Sequence, residues 1–407
     1  MRMLKRELGF WSTVAMAVGN TAGVFVLLGV GAAIAGPFLP LAFAIAGLLA
    51  FLCAASAAEL GVVYPLAGGA YEYARNLVSP GVGFISGILF MVAKILEAAT
   101  IALVFGAYFA LFLKVDPRVI AAISVVIFTW INYLGIRPSS KLNNLLVVIK
   151  VAVLGVLVAF ALNHLSSTNF SNFSGISAGN VFTASALMFF AYTGFARIGT
   201  LGEEIKNPKK VIPKATMTAL AITTVIYLVI CVVAIAVVGS KALAGSASPL
   251  AVVASQINYY LAVLVIFGAL IATAAVVLGD VLISSRTLFA MGRRGEMPHF
   301  LEIQDKKNGT PTASVVASGI ITFAVVSLGS LTFAATLTAL TMLLYYVITN
   351  FTALKLAKRK RLYPGALPAL GVFGCLALAI CLPLEEWVIV SLVVLAAIVY
   401  YISIKRR

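Results

Sequence analysis

Long apolar runs recur from one end of this 407-residue chain to the other. Each run is about 20 residues long, which as a helix crosses a hydrocarbon layer of about 30 Å. Within lipid only helices and closed barrels satisfy their backbone polar groups, and these runs are too long and too uniformly apolar for barrel strands. With 62% hydrophobic and 10% charged residues, the chain is not a soluble protein. We therefore predict an all-α membrane protein.

The runs predict twelve transmembrane helices that form a single integral membrane domain over residues 1–407. The first run is too long for the apolar region of a cleavable signal peptide, so we expect it to be the first helix. The predicted spans, numbered first to twelfth, are 12–35, 39–62, 82–113, 118–135, 141–163, 181–201, 214–238, 258–288, 311–329, 331–354, 366–384 and 387–404.

Positive charge is concentrated in the segments on one side of these spans. With the N-terminus inside, the outer segments hold only Lys114, Arg118 and Lys241, and the inner segments hold every other lysine and arginine outside the spans. This asymmetry predicts a multi-pass protein of the plasma membrane with both termini in the cytoplasm. Topology and lipid headgroups account for the net charge of +16, so we expect the lipid bilayer and not nucleic acid as the partner.

The chain is poor in the residues that catalysis and metal binding need. Its four cysteines lie in apolar runs and it has two histidines, so we expect neither a disulfide framework nor a metal site. No Ser/His/Asp set or pair of catalytic carboxylates can be assembled, and the connecting segments leave no room for a soluble catalytic domain. We predict that the protein is not an enzyme and has no cofactor.

Glycine and polar residues interrupt two of the spans, at 15–36 and 185–204. Glycine costs a helix about 1 kcal/mol relative to alanine, so the cluster at 19–23 weakens the first span locally. Interrupted helices at matching positions in two halves are typical of inverted-repeat transporters, although small residues also serve close helix packing. Facing breaks offer N–H groups to an anion and carbonyls to a cation, which suits a zwitterion such as an α-amino acid.

Three motifs resemble the amino acid, polyamine and organocation transporter superfamily, especially its prokaryotic proton-coupled amino acid permeases. They are AELGVVYPLAGGAYEYAR (58–75), EEIKNPKKVIPKA (203–215) and SRTLFAMGRRGEMP (285–298). The resemblance implies the leucine-transporter-like fold, in which two inverted repeats of five helices, here 8–163 and 176–356, are followed by two further helices at 364–404. It also implies that the first and sixth helices are discontinuous.

The resemblance further implies that the broken parts of these two helices hold the substrate. The residues at the matching positions are Asn20, Thr21, Ala22, Gly23, Val24, Phe190, Ala191, Tyr192, Thr193, Gly194 and Phe195. An aromatic residue four positions before the glycine of helix six often closes over the substrate in this family, and Phe190 has that position relative to Gly194. Packing alone would also explain a phenylalanine there.

One ammonium group, Lys150, lies within the aliphatic stretch NNLLVVIKVAVLGVLVAF (143–160). It is roughly 14 Å from the inner end of its helix at 1.5 Å per residue, too deep to reach the headgroups, and must face the bundle interior or a water-filled cavity. In similar proton-coupled permeases a helix-five lysine stands where sodium-coupled relatives hold a cation, bridging helix one and helix eight. The resemblance implies that Lys150 is the proton-coupling switch; a permanently charged strut is the alternative.

Two acidic residues lie within spans, and each has two predicted environments. Asp280 pairs either with Lys150 or with Arg286 near the inner end of its own helix. Glu97 either neutralises Lys94, three residues before it on one helix face, or faces the substrate.

Arg197 follows the break in the sixth span. It either points to the inner vestibule and pairs with Glu203, Glu204 or an inner-loop acid, or recognises a second carboxylate on an acidic substrate.

Together these features predict a secondary active transporter that imports a small amino acid by proton symport and alternating access, with the proton as the coupling ion. The alternative is an amino acid or polyamine exchanger or facilitator without net proton coupling. A membrane amino-acid sensor is a third hypothesis, and the absence of a signalling domain argues against it. The sequence leaves the carried amino acid and the oligomeric state open.

Overall fold

The computed structural model describes residues 6, 8–19, 22–65, 68–113, 115–135, 140–170, 175–200, 202–305 and 310–405. Within these residues the secondary structure is almost entirely helical, and one isolated parallel bridge joins Leu8 to Ile205. The α-helices are α1 (Phe10–Gly19), α2 (Gly23–Val26), α3 (Leu28–Ala35), α4 (Leu39–Val63), α5 (Ala70–Leu77), α6 (Pro80–Ala110), α7 (Pro117–Tyr133), α8 (Ser140–Ala161), α9 (Ala178–Ala191), α10 (Ala196–Thr200), α11 (Pro208–Leu243), α12 (Pro249–Ile257), α13 (Tyr259–Gly292), α14 (Thr312–Ser327), α15 (Leu331–Leu354), α16 (Ala366–Ile380) and α17 (Leu384–Lys405).

Among the described residues, eight helical segments are long and apolar enough to cross a membrane. The shorter apolar helices α7, α14 and α16 coincide with the fourth, ninth and eleventh predicted spans, and α1, α2 and α3 divide the first. The protein is therefore a multi-pass membrane protein built from helices.

Local sequence signals explain where several helices begin. Before α6, the Ser79 side chain accepts a hydrogen bond from the N–H of Val82 (3.3 Å) and Pro80 takes the first helical position. Before α7, the Asp116 carboxylate accepts from the N–H of Arg118 (2.9 Å). Proline is preorganised for the first turn and a polar side chain satisfies a free N–H group there, so both starts are fixed by sequence.

The long helices α6 and α13 pack against each other, and α15 packs beside α6. The interrupted segments lie against this group and its neighbours: α1 contacts α8 and α11, and α9 contacts α3, α4 and α15. The described residues on either side of both breaks thus lie among packed helices.

The segment 239–257, expected to be a connection, contains additional helix. The chain turns at Gly239, which has a positive φ of 77°, continues in helical form to Leu243, and then forms α12. Glycine is the residue that adopts such a φ without steric cost. As a result, α12 packs against α2 and α13 close to the first break.

Candidate functional site

The first predicted break lies between α1 and α2. Helix α1 ends at Gly19, and α2 begins at Gly23 after Ala22, whose backbone is not helical (φ −102°, ψ 7°). The predicted site residues Asn20 and Thr21 lie outside the described residues. Val24 is buried in α2. The end of α1 therefore presents carbonyl groups and the start of α2 presents N–H groups, which attract cations and anions respectively.

The second predicted break lies between α9 and α10. Helix α9 ends at Ala191, and a single 3-10 turn, Thr193–Phe195, follows before α10. The hydroxyl of Thr193 donates to the carbonyl of Phe190 (2.7 Å), and residues 190–195 are all buried. A 3-10 turn inside a longer helix often marks a hinge. The closing role of Phe190 stays a prediction.

The hydroxyl of Tyr227, on α11, joins the two breaks. It accepts a hydrogen bond from the N–H of Gly23 (3.1 Å) and donates one to the carbonyl of Ala191 (2.9 Å). The two backbones approach so closely because Gly23 has no Cβ, and a Cβ there would overlap the side chain of Ala191. One hydroxyl therefore satisfies a backbone donor of the first break and a backbone acceptor of the second.

Tyr227 was not among the residues predicted from the sequence. Its signal is a lone tyrosine within the aliphatic seventh span, because a buried tyrosine hydroxyl needs a hydrogen-bond partner. The rings of Phe43 and Tyr192 pack around it, with centroids 5.5 and 5.1 Å from its own. The predicted site residue Tyr192 donates its hydroxyl to the carbonyl of Phe43 (3.0 Å), so both tyrosines are fixed in orientation.

Lys150 reaches the end of α1. Its Nζ donates to the carbonyls of Val18 (2.7 Å) and Gly19 (3.4 Å), and the side chain is buried. These are carbonyls that the end of the helix leaves without an intrahelical partner, and an ammonium group is well suited to them. The structure thus places Lys150 on helix-one carbonyls, as the resemblance implies. Its role in proton coupling stays a prediction.

Four charged side chains meet elsewhere in the helix bundle and are named here the charge cluster: Lys94 and Glu97 on α6, Arg197 on α10 and Asp280 on α13. All four are buried. Lys94 Nζ lies 2.5 Å from Glu97 Oε2, so the predicted pair on one face of α6 is present.

Asp280 joins the charge cluster, and both of its predicted pairings are wrong. Its Oδ1 lies 3.6 Å from Lys94 Nζ and 3.7 Å from Arg197 Nη2, and its partner is neither Lys150 nor Arg286. The physical reason is the packing of α13 against α6, which turns Asp280 towards the charged face of α6.

Arg197 also has a partner that the sequence analysis did not consider. It contacts Asp280, and the predicted pairing with Glu203 or Glu204 is wrong. The guanidinium fits against α13 because Gly279 has no side chain, and a Cβ at that position would overlap it. The position of Arg197 therefore depends on the space that Gly279 leaves on α13, a helix distant in sequence.

Two of the motifs quoted above contact each other on the face of the protein that holds the N-terminal segment. The Tyr71 hydroxyl donates to Glu296 Oε2 (2.5 Å), and Arg75 also contacts Glu296. Arg294 donates to Glu72 Oε1 (2.6 Å). These side chains tie α5 to the loop that follows α13.

Burial raises the pKa of Glu72 above the ordinary glutamate value, and Arg294 and Arg75 act in the opposite direction. These two arginines thus offset part of the cost that desolvation imposes on the carboxylate form of Glu72. A change that separates α5 from the loop after α13 removes that support.

The third motif contacts the N-terminal segment. The N–H of Leu8 donates to the carbonyl of Glu204 and the N–H of Lys206 to the carbonyl of Leu8, each at 2.9 Å. Asn207 follows with a left-handed backbone (φ 46°), and α11 begins at Pro208. The segment before α1 and the segment after α10 are therefore joined.

The opposite face is closed over the first break by the region around α12. The hydroxyl of Tyr108 donates to the carbonyl of Phe25 (3.2 Å) and accepts from the N–H of Leu250 (3.4 Å). The N–H of Gly245 donates to the carbonyl of Gly29 (3.1 Å). These contacts thus tie α12 and the segment before it to the helices that follow the first break.

The chain matches the family model for amino acid permeases over residues 8–404. It is 33% identical to an uncharacterized transporter of Mycobacterium tuberculosis, in an alignment that covers 94% of this chain and 88% of the relative. It is 28% identical to a branched-chain amino acid permease of Bacillus subtilis, with the same coverage of both chains. It is also 26% identical to a methylthioribose transporter of Bacillus subtilis, over 100% of this chain and 95% of that protein.

Proposed function

The chain belongs to the amino acid permease family, and from this membership we propose that it imports a small amino acid together with a proton by alternating access. Amino acid transport is supported by the family match and by the relative that carries branched-chain amino acids. These relatives are transporters and not enzymes, in agreement with the prediction from sequence.

The observation that carries the proposal is the shared hydroxyl of Tyr227. This hydroxyl lies between the N–H of Gly23 and the carbonyl of Ala191 and forms a hydrogen bond with each of them. An α-carboxylate accepts from such an N–H, and an α-ammonium donates to such a carbonyl. A small zwitterion therefore replaces the hydroxyl on both sides at once. These backbone contacts are common to all α-amino acids, so the substrate side chain is selected by the surrounding side chains.

The hydrogen bonds of Lys150 support the proposal of proton coupling. When protonated, Lys150 donates to the carbonyls of Val18 and Gly19 and holds the end of α1. The neutral amine is a weaker donor without charge assistance, so loss of the proton loosens this attachment. The same two contacts also fit a permanently charged strut, and in that case the protein is an exchanger or facilitator without net proton coupling.

We further propose the twelve-span topology with five-plus-five inverted repeats at 8–163 and 176–356 and two more helices at 364–404. Support comes from the two breaks, which interrupt the first and sixth predicted spans, the first helices of the two repeats. We place both termini in the cytoplasm and the protein in the plasma membrane, because the positive charge is concentrated on that side.

Uptake by proteoliposomes tests the function. Purified protein is reconstituted, and a panel of radiolabelled amino acids is offered with and without an inward proton gradient at clamped voltage. We expect accumulation of at least one small amino acid only when the gradient is present. Protein-free liposomes serve as the control.

Two other results would change the proposal. Uptake that needs preloaded internal amino acid, whatever the proton gradient, would make the protein an exchanger and Lys150 a strut. Binding of an amino acid without uptake or exchange would contradict transport and favour a sensor.

A further inference from the structure

The charge cluster contains an ion pair that is held by charge but not by hydrogen bonds. Arg197 and Asp280 approach to 3.7 Å, and their side chains are 9% and 0% exposed. Arg197 Nε and Nη2 and both carboxylate oxygens of Asp280 have no hydrogen-bond partner among the described residues. A pair without the two parallel hydrogen bonds of a bidentate contact separates at lower cost. Charges at this depth usually serve function, because their burial is expensive.

The pair connects two structurally different parts of the molecule. Arg197 lies on α10, a helix of five residues that the 3-10 turn separates from α9. Asp280 lies in the middle of the 34-residue α13, which packs along α6. One partner is thus on a short segment beyond a hinge, and the other is on a long, well-packed helix.

The sequence provides a place for this contact. Gly279 leaves room on α13 for the guanidinium, and Lys94 on α6 neutralises Asp280 from the other side. The carbonyl of Arg197 accepts a hydrogen bond from the hydroxyl of Thr200 (2.9 Å), which is also on α10. This hydrogen bond lies within α10, and the guanidinium of Arg197 extends from α10 to lie against α13.

The inner halves of the two broken helices, α1 and α10, are thus each attached to another helix by one cationic side chain. Lys150 holds the end of α1 from α8. We propose that Arg197 is a positioning residue of the transport cycle, whose ion pair with Asp280 links α10 to α13 and breaks when the N-terminal face opens. The inference rests on the proposed function only for the alternating access in which this opening occurs.

Amide hydrogen exchange followed by mass spectrometry tests this in purified protein. The variants are Arg197→Gln and Asp280→Asn, and the matched control is Arg293→Gln, which makes the same change at an exposed arginine at the end of α13. We expect exchange in 196–200 to rise about tenfold or more in both cluster variants, with α6 and α13 unchanged. The control should match the unmodified protein throughout.

Removal of one partner leaves a buried charge unpaired, which can prevent folding. The double variant Arg197→Gln with Asp280→Asn removes both charges and leaves Lys94 and Glu97 as a neutral pair. It should fold and show the same rise confined to 196–200. Unchanged exchange there, or an equal rise across α6 and α13, would overturn the proposal.

The experiment needs no substrate, so its result is separate from that of the uptake assay. Failure of uptake with selective exchange in α10 would reject the proposed substrate or coupling and keep the attachment. Uptake without the exchange effect would keep the proposed function and reject the role of Arg197.

Discussion

Among single residues, Tyr227 makes the sharpest prediction. Tyr227→Phe removes the hydroxyl and leaves the N–H of Gly23 and the carbonyl of Ala191 without their shared partner. An unsatisfied buried group costs about 1–3 kcal/mol, so the melting temperature of the substrate-free protein should fall. Because substrate satisfies both groups, its addition should stabilise this variant more than the unmodified protein. Thermal unfolding with and without the transported amino acid measures both effects.

The control is Tyr260→Phe, which removes a hydroxyl from a residue that is 80% exposed. This change should leave the melting temperature nearly unaltered. Equal shifts in the two variants would show that the hydroxyl of Tyr227 has no special role between the breaks.

Lys150 makes the second residue-scale prediction. Lys150→Ala removes both hydrogen bonds to the end of α1, so the effect of the proton gradient on uptake should be abolished, with exchange of internal for external amino acid retained. Proteoliposome uptake across a range of external pH measures this. Lys141→Ala, at an exposed lysine on the same helix, is the control. Undiminished acid-driven uptake by the Lys150→Ala variant would rule out the switch.

Sequence reasoning located Lys150 correctly but failed for the partners of Arg197 and Asp280. The depth of Lys150 in an apolar helix excludes headgroup contact, and this follows from helix geometry alone. The contact of Arg197 depends on the gap at Gly279 and on the reach of its side chain from α10 to Asp280 on α13. Such side-chain complementarity between distant segments has no local signal.

Between elements, Glu296 determines how α5 is attached. Glu296→Gln removes the carboxylate that Tyr71 and Arg75 share, and the contact of Arg294 with Glu72 then remains between α5 and the loop after α13. Amide exchange in 70–77 should rise severalfold, since charge-assisted hydrogen bonds are stronger than neutral ones.

The matched control is Glu302→Gln, in the same loop, whose carboxylate contacts the exposed His299. It should leave exchange in 70–77 at the level of the unmodified protein. If both variants behave alike, the contact between the two motifs does not fix α5.

The breaks were the elements best predicted from sequence, and the helix in the segment 239–257 was the least. Clustered glycine and polar residues in an apolar run have a direct local cost, and α1 indeed ends at Gly19. Helix α12 is nine residues long, and its apolar stretch is too short to predict a helix from the sequence. Its stability comes from packing on neighbouring helices, which composition does not reveal.

For the whole molecule, the topology makes a direct prediction. With Cys381, the partly exposed native cysteine, replaced by serine, Lys241→Cys should react with a membrane-impermeant thiol reagent in intact cells. Arg293→Cys should react only after the membrane is permeabilised. Both positions are exposed, so accessibility differs by side alone. The opposite pattern would invert the predicted orientation.

At this scale, the helical class and the long apolar helices followed from the length of the apolar runs, because the cost of unsatisfied backbone in lipid leaves few alternatives. How the spans pack, and so which polar groups meet, depends on shape. The three motifs illustrate the limit: the sequence identifies them, but only the structure shows that two of them contact each other and the third contacts the segment at Leu8.

In the proposed alternating-access cycle, the hydroxyl of Tyr227 also affects the step in which the carrier reorients without substrate. A buried backbone donor and acceptor without partners cost about 1–3 kcal/mol each, and that penalty would fall on the unloaded protein. Because the hydroxyl of Tyr227 forms a hydrogen bond with each group, the unloaded form closes without this penalty. A carrier that can reorient without substrate needs no outgoing substrate, which favours net uptake over obligatory exchange.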